Sequence, residues 1–186
     1  MPLATEKGQV TDWPGYIGAT VGLLVVIALV YWLMRQGWNW RRTLQSDLPE
    51  PPAAPAETGP ALLTAPGRYH GSTTAGNWLD RVVAHGLGTR SLAELTLTER
   101  GLLARRPGED DLWIPAAALT GARTDSGIAG KVVPSGLLVV GWTLDGRALE
   151  SGFRLDAAAG HDDWVEAVEA LVTRTKTMMK TEEAAT

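Results

Sequence analysis

The hydrophobic positions of the chain follow three different patterns from one end to the other. Residues 13–34 are uncharged and almost continuously apolar, which predicts a helix that is apolar on every side. Residues 46–66 are rich in proline and alanine and show no periodicity. From residue 67 onward, short alternating runs predict β-strands, and a last stripe with helical spacing predicts an amphipathic helix. The predicted organisation is an N-terminal stretch, an apolar helix, a linker, a folded domain and a tail, over residues 1–12, 13–36, 37–66, 67–180 and 181–186.

The uncharged run between Asp12 and Arg35 is long enough to cross a bilayer. At about 1.5 Å per residue its helix reaches roughly 33 Å, and the hydrocarbon core of a bilayer is about 30 Å thick. A helix satisfies its backbone donors and acceptors internally, as lipid requires. One alternative is a buried core helix, which needs more surrounding protein than so small a chain offers. The other is a signal peptide, which needs basic residues before the apolar run and a cleavage site after it. We therefore predict a membrane-spanning helix.

Aromatic and basic residues flank the predicted span. Tryptophan and tyrosine favour the headgroup region of a membrane, and arginine and lysine collect on its cytoplasmic side. The predicted anchor residues are Trp13, Tyr16, Tyr31, Trp32, Arg35, Trp38, Trp40, Arg41 and Arg42. Because the arginines all follow the span, the short acidic N-terminus is predicted to lie outside the cell membrane and the remainder of the chain in the cytoplasm.

Small residues recur in the first part of the span. The sequence contains Gly18-x-x-x-Gly22, and Gly15 comes just before it. Small residues at this spacing let two helices approach closely, so a homodimer through this face is one interpretation. The other interpretation is that glycine is simply common in membrane-spanning helices.

The region after the linker is predicted to contain strands followed by one helix. Residues 91–98 alternate, and the strand-like runs 137–144 and 147–155 flank Asp145-Gly146, which suits a tight hairpin turn. Trp164, Val168 and Leu171 share one helical face. About seven antiparallel strands in a bent sheet or partial barrel, capped by the C-terminal helix, bury both kinds of apolar face. The predicted fold class is an N-terminal transmembrane helix followed by an α+β domain.

Several runs in this region resemble the pleckstrin-homology (PH)-like superfold. They are the corner Thr98-Glu-Arg-Gly101-Leu102, Trp113-Ile114-Pro115 within Asp111–Leu119, and the runs Ala129–Lys131, Gly136–Trp142 and Gly152–Arg154. More narrowly, the chain resembles the membrane-anchored PH-like proteins of actinobacteria, in which one N-terminal helix, a linker and this domain follow one another. The resemblance implies a PH-like domain, but the fold does not determine an activity. Members are often described as transporters or exporters, although one spanning helix cannot by itself form a transport pathway.

Composition and motifs point away from catalysis. The chain has no cysteine, which excludes disulfides, cysteine–zinc sites and thiol nucleophiles. Its net charge of −4 argues against binding to nucleic acid. The glycines of Gly127–Lys131 lack the spacing of a phosphate-binding loop. His70, His85 and His161 show no metal-ligand spacing. We predict no enzyme activity, no cofactor and no metal site.

Basic side chains suited to an anionic lipid headgroup are few in the domain. The early segment Gly71–Trp78 has none, and the domain as a whole is acidic, which an anionic leaflet repels. The candidates for a basic patch are Arg105, Arg106 and Arg123, with a solvated strand end as the alternative interpretation.

Two functions follow from this organisation. The first is a tethered interaction module, which is held at the bilayer by its helix and presents the cytoplasmic domain to an unidentified protein partner. The second is an accessory subunit of a membrane transport or export complex, in which the helix packs against others in the bilayer. Binding of a small ligand in the domain is a third interpretation.

Overall fold

The computed structural model describes residues 13–44, 48–157 and 160–184, with only the backbone described at 13–15, 37–44, 131, 133–135 and 182–184. The chain divides into two compact units, Met1–Thr43 and Leu44–Thr186. The predicted stretch 1–12 lies outside the described residues. Each unit is considered by itself.

The first unit contains a single described helix, α1 (Trp13–Leu44). Within the described residues, one helix is long and apolar enough to span a membrane, and its apolar stretch runs from Tyr16 to Gln36. None of this stretch is buried against protein. The hydroxyl of Thr20 donates to the carbonyl oxygen of Tyr16 at 2.8 Å, so the helix satisfies this polar side chain internally. The helix continues to Leu44, beyond the predicted end at residue 36, because residues 37–44 contain no proline and only one glycine to end it.

The second unit is an antiparallel sheet with a C-terminal helix, as predicted. The sheet has eight strands rather than about seven. Its elements are β1 (Ala61–Thr74), β2 (Arg81–Val82), β3 (Ser91–Thr98), β4 (Gly101–Arg105), β5 (Leu112–Pro115), β6 (Leu119–Ile128), β7 (Lys131–Leu144), β8 (Arg147–Leu155) and α2 (His161–Ala184). The strand order is β5-β4-β3-β1-β8-β7-β6, and the short β2 pairs with β1. The long strand β1 therefore joins the two halves of the sheet.

The domain begins earlier than the predicted boundary at residue 67. Leu48 is buried in the core, and its carbonyl oxygen lies 2.7 Å from Nε2 of His85. Strand β1 starts at Ala61 and includes Pro66, which the sequence analysis placed in the linker. The carbonyl of Pro66 accepts a hydrogen bond from the N–H of Asp156, just after β8. The backbone polar groups of Pro66 therefore face β8 rather than β3. The missing N–H of this proline therefore removes no bond between β1 and β3.

Two tight turns occur where the sequence predicts them. Asp145 and Gly146 both have positive φ and connect β7 to β8, as a two-residue hairpin requires. The Thr98–Gly101 corner connects β3 to β4, and Thr98 Oγ1 donates to Gly101 O at 3.1 Å while accepting from Arg100 N at 3.2 Å.

The predicted apolar stripe of α2 packs on the sheet. The helix lies on β6, β7 and the short 3₁₀ turn Ala116–Ala118. The buried side chains of the stripe are Trp164, Val168, Leu171 and Val172. The helix continues to Ala184, so it includes most of the predicted tail, while residues 185–186 lie outside the described part. Met178 and Met179 are exposed in its last turns.

Candidate functional site

The described anchor residues lie on α1 with their side chains exposed. These are Tyr16, Tyr31, Trp32 and Arg35. Trp13, Gly15, Trp38, Trp40, Arg41 and Arg42 belong to the same helix, but their side chains lie outside the described part of the chain. Gly18 and Gly22 have open space where a Cβ atom would stand. Their side of the helix is therefore accessible to another helix.

Of the three candidate basic-patch residues, the structure removes Arg106 from any exposed patch, because its side chain is buried. Arg105 is exposed at the end of β4, whereas its neighbour Arg106 is only 2 % exposed. Arg106 Nε donates to Asp110 O at 2.7 Å, and Nη1 donates to Gly86 O at 3.0 Å. Arg106 directly follows the last residue of β4, and its buried side chain holds the loop after β4 rather than facing a ligand.

Arg123 is exposed on β6, but two carboxylates of the same surface pair with it. It donates from Nη1 to Glu150 Oε1 at 2.7 Å and from Nη2 to Glu150 Oε2 at 3.0 Å. It also donates to Asp125 Oδ2 from Nε and Nη2, at 3.3 and 3.2 Å. The two-pronged contact with Glu150 fixes the plane of the guanidinium group. The positive charge of Arg123 is thus matched within the domain.

These residues lie in a groove of about 270 Å³, which we call the acidic groove. It lies between the loop after β1, the end of β6, the start of β7 and the outer face of β8. Its lining residues are Gly76, Trp78, Arg123, Asp125, Ser126, Gly127, Val132 and Glu150. Among the described lining residues, one side chain is positive and two are negative.

Local backbone geometry holds Asp125 in its charged form. Burial by itself would raise the pKa of this carboxyl, but hydrogen bonds from the backbone N–H groups of Ser126 and Gly127 and the nearby Arg123 outweigh it and lower the pKa. The hydrogen bond with Glu150 in turn raises the pKa of Arg123. Both groups therefore stay ionised near neutral pH.

The wall of the groove formed by the loop after β1 is held in place by two backbone hydrogen bonds and one between side chains. Gly130 N donates to Trp78 O at 2.9 Å, which joins this loop to the turn between β6 and β7. Ala75 N donates to Ala148 O at 2.9 Å, and the hydroxyl of Thr74 donates to Asp80 Oδ2 at 2.7 Å. The groove is therefore formed before any ligand arrives.

Sequence reasoning missed the groove residues Trp78, Asp125 and Glu150 as members of one site. The signal for Asp125 is the run Asp125-Ser-Gly127, in which an aspartate accepts hydrogen bonds from the backbone just after it. The sequence contains no comparable signal for Glu150, which is one of several polar positions of β8, or for Trp78, which lies in a loop.

A buried polar network crosses the centre of the domain. Tyr69 donates its hydroxyl proton to Leu87 O at 2.8 Å and shares a hydrogen bond of 2.7 Å with Ser72. Ser72 Oγ and Ser151 Oγ are 2.6 Å apart, and Trp142 Nε1 donates to Ser151 Oγ at 2.9 Å. Since each of these four side chains has a hydrogen-bond partner, the network stabilises the packing of β1, β7 and β8.

No three histidine or acidic side chains among the described residues come together in a way that could hold a metal ion.

Comparison with protein families matches residues 48–169, about two-thirds of the chain, to the family described as "Bacterial PH domain-like". The chain belongs to this family. The match begins at the buried Leu48 and ends within α2, so it covers the whole sheet of the second unit. Searches of curated proteins and of solved structures found no significant match. PH-like domains are generally non-catalytic, and membership of this family points to a generic interaction module.

Proposed function

We propose that the chain is a single-pass membrane protein whose PH-like domain presents a binding surface to a protein partner in the cytoplasm. The observation that carries this proposal is the combination of an apolar helix with none of its span buried and a folded PH-like domain on the same chain. An apolar stretch of this length is costly to expose to water and is stable in lipid.

The arginines after the span support the proposed orientation. Arg35, Arg41 and Arg42 follow the apolar stretch, and positive residues near a span are retained on the cytoplasmic side. The domain then lies in the cytoplasm and the N-terminus outside. The bilayer is in this proposal the partner of the helix, and a protein is the partner of the domain.

The proposal is tested by cross-linking the full-length chain in its own membrane. We expect a discrete product with a second protein that co-purifies with the chain. The matched control is the same chain with Leu24→Arg and Ile27→Arg, which places two charges inside the span and prevents its stable insertion. The proposal fails if native membranes yield neither a cross-linked nor a co-purified protein.

The alternative is an accessory subunit of a transport or export complex, in which the helix itself makes the contact. The observation that supports this alternative is the open side of α1 at Gly18 and Gly22. Replacing both glycines with leucine fills this side and is expected to break the assembly, including any homodimer, while leaving the domain folded. The size of the assembly is measured in mild detergent. If it is the same before and after the replacement, the alternative is contradicted.

A further inference from the structure

The rim of the acidic groove exposes more apolar surface than its short loops need for folding. Trp78, Leu79 and Val132 are 43 %, 62 % and 69 % exposed. Trp78 and Val132 line the groove, and a Cβ atom on Gly130 would lie 3.9 Å from Leu79 Cδ2. Leu79 thus stands over the turn beside the same rim. Exposed apolar clusters bordered by charged groups mark interaction sites.

The charge of the groove favours a positively charged occupant. Glu150 and Asp125 both contact Arg123, and the side chains of Asp125 and Glu150 are 38 % and 13 % exposed. With one positive and two negative groups, the described lining keeps a surplus negative charge next to an exposed tryptophan ring. An ammonium or guanidinium group is attracted to carboxylates and also to the face of such a ring.

Two backbone N–H groups of the edge strand β6 are already bonded, which disfavours the addition of a further strand. The outer backbone of β6 already donates to carboxylates, since Ala122 N donates to Glu169 Oε1 at 2.8 Å, and Ser126 N donates to Asp125 Oδ1 at 2.7 Å. Capped edges of this kind prevent pairing with a further strand. Recognition at the groove therefore depends on side chains.

A membrane surface fits the groove less well than a protein segment. The apolar rim alone would suit lipid, but the carboxylates of Asp125 and Glu150 face the same opening, and an anionic leaflet repels them. A positively charged protein segment satisfies the rim and the carboxylates together.

We propose that the acidic groove binds a segment of a partner protein in which a lysine or arginine lies next to an apolar residue. The basic group faces Asp125 and Glu150, and the apolar residue packs on Trp78, Leu79 and Val132. This inference rests on the proposed function, for which it names the surface and the chemistry of the partner.

The test is selection of binders from a random-peptide display library on the full-length chain in detergent micelles. We expect the enriched peptides to pair a lysine or arginine with a neighbouring apolar residue. Affinities measured by fluorescence anisotropy are expected to fall about threefold for Asp125→Asn and for Glu150→Gln, as for a partly exposed ion pair, and about fivefold for Trp78→Ala. Asn at position 125 still accepts the backbone hydrogen bonds, so the turn is kept while the charge is lost.

The matched controls lie on β3, away from the groove. Glu94→Gln removes one exposed negative charge and Leu92→Ala removes one exposed apolar side chain, and both are expected to leave the affinity unchanged. Enriched peptides without a basic residue, affinities that the groove variants do not change, or no enrichment at all would each overturn the inference.

A second experiment tests whether lipid occupies the groove. Because the chain has no native cysteine, a single introduced cysteine can be labelled. Leu79→Cys carrying an environment-sensitive fluorophore, in the full-length chain reconstituted into phosphatidylcholine vesicles, is expected to give the emission of a label in water. The emission of a label in lipid overturns the inference. A partner that cross-links to the double variant Asp125→Asn, Glu150→Gln with the same yield as to the unchanged chain also overturns it and leaves the proposed function standing. The proposed function itself fails when native membranes yield no partner.

Discussion

The guanidinium carbon of Arg106 lies 4.9 Å from the centroid of the Tyr69 ring, and both side chains are buried. Arg106 directly follows β4, and Tyr69 lies near the centre of β1. The arginine also donates to the carbonyl oxygens of Asp110 and Gly86, so it joins two loops to the middle of the sheet. A residue that looks like a surface charge in the sequence is thus part of the core.

Replacing Arg106 with alanine is expected to lower the free energy of unfolding by about 3 kcal/mol, because two carbonyl groups lose their charged donor and the ring of Tyr69 loses its cation. Denaturant unfolding of the full-length chain in detergent measures the loss. The control is Arg105→Ala at the exposed neighbouring position, which is expected to change the stability by less than about 0.5 kcal/mol. Equal stability of the two variants would contradict the buried role of Arg106.

The stability of the domain is expected to fall between about pH 10 and pH 12. Burial raises the pKa of Tyr69 to about 12, although the hydrogen bond with Ser72 and the charge of Arg106 act in the opposite direction. The ordinary pKa of tyrosine is about 10. Because the folded-state pKa is the higher one, the contribution is fully present below pH 10 and is lost as the pH rises through 12.

The size of this alkaline loss follows from the shift of about two pKa units, which corresponds to about 3 kcal/mol. Unfolding of the full-length chain at a series of alkaline pH values measures it. Tyr69→Phe has no ionisable hydroxyl, so its stability should fall less over the same interval, although it starts lower because Ser72 loses a partner. The assignment to Tyr69 fails if both proteins lose the same free energy.

Gly101→Ala is expected to destabilise the domain by about 3 kcal/mol. Gly101 has a φ of +148°, and a Cβ atom there would collide with the carbonyl oxygen of Ile114 and lie 3.0 Å from Ala116 N. Gly108 also has a positive φ, of +87°, but has open space around it. Gly108→Ala should therefore cost only about 1 kcal/mol, the part due to backbone conformation. Thermal unfolding compares the two variants, and similar losses would show that the collision is relieved without cost.

Leu171→Ala is expected to lower the free energy of unfolding by about 3 kcal/mol, because it leaves a cavity between α2 and the sheet. Leu171 is buried, whereas Met178 on the same helix is exposed. Met178→Ala should change the stability by less than about 0.5 kcal/mol. If denaturant unfolding finds the leucine variant as stable as the methionine variant, α2 does not contribute to the core of the domain.

The absence of cysteine allows the orientation of the chain to be measured with single introduced thiols. We expect a membrane-impermeant maleimide to label Thr5→Cys in intact cells, and to label Leu92→Cys only after the membrane is permeabilised. Both variants should remain in the membrane pellet after carbonate extraction. Labelling of Leu92→Cys in intact cells would reverse the proposed orientation, and release by carbonate would remove the membrane anchor itself.

Local patterns in the sequence were sufficient for much of the fold. The turn at Asp145-Gly146 needs two residues that accept positive φ, and the stripe through Trp164, Val168 and Leu171 needs only helical spacing. Each of these features depends on neighbours along the chain. The start of β1 was predicted wrongly because Pro66 was read as a linker residue. A proline is tolerated in a strand when its missing N–H faces away from a hydrogen-bonded neighbour, and the sequence alone does not show which way it faces.

The acidic groove was not predictable by the same means. Trp78, Asp125 and Glu150 are far apart along the chain and meet only because β8 pairs with β1 and with β7. Arg106 and Tyr69 are likewise separate until the sheet forms. Pairs of this kind have no periodicity, and a single sequence contains no other signal for them.

The sequence by itself determined that the chain has an uncharged apolar helix followed by antiparallel strands and a C-terminal helix, because continuous hydrophobicity, alternation and turn chemistry are local properties. Only the tertiary structure decided which charged residues are buried and which surface is available to a partner. The physical reason is that burial and electrostatic pairing depend on contacts between strands distant in sequence, and these contacts exist only once the sheet has formed around Tyr69.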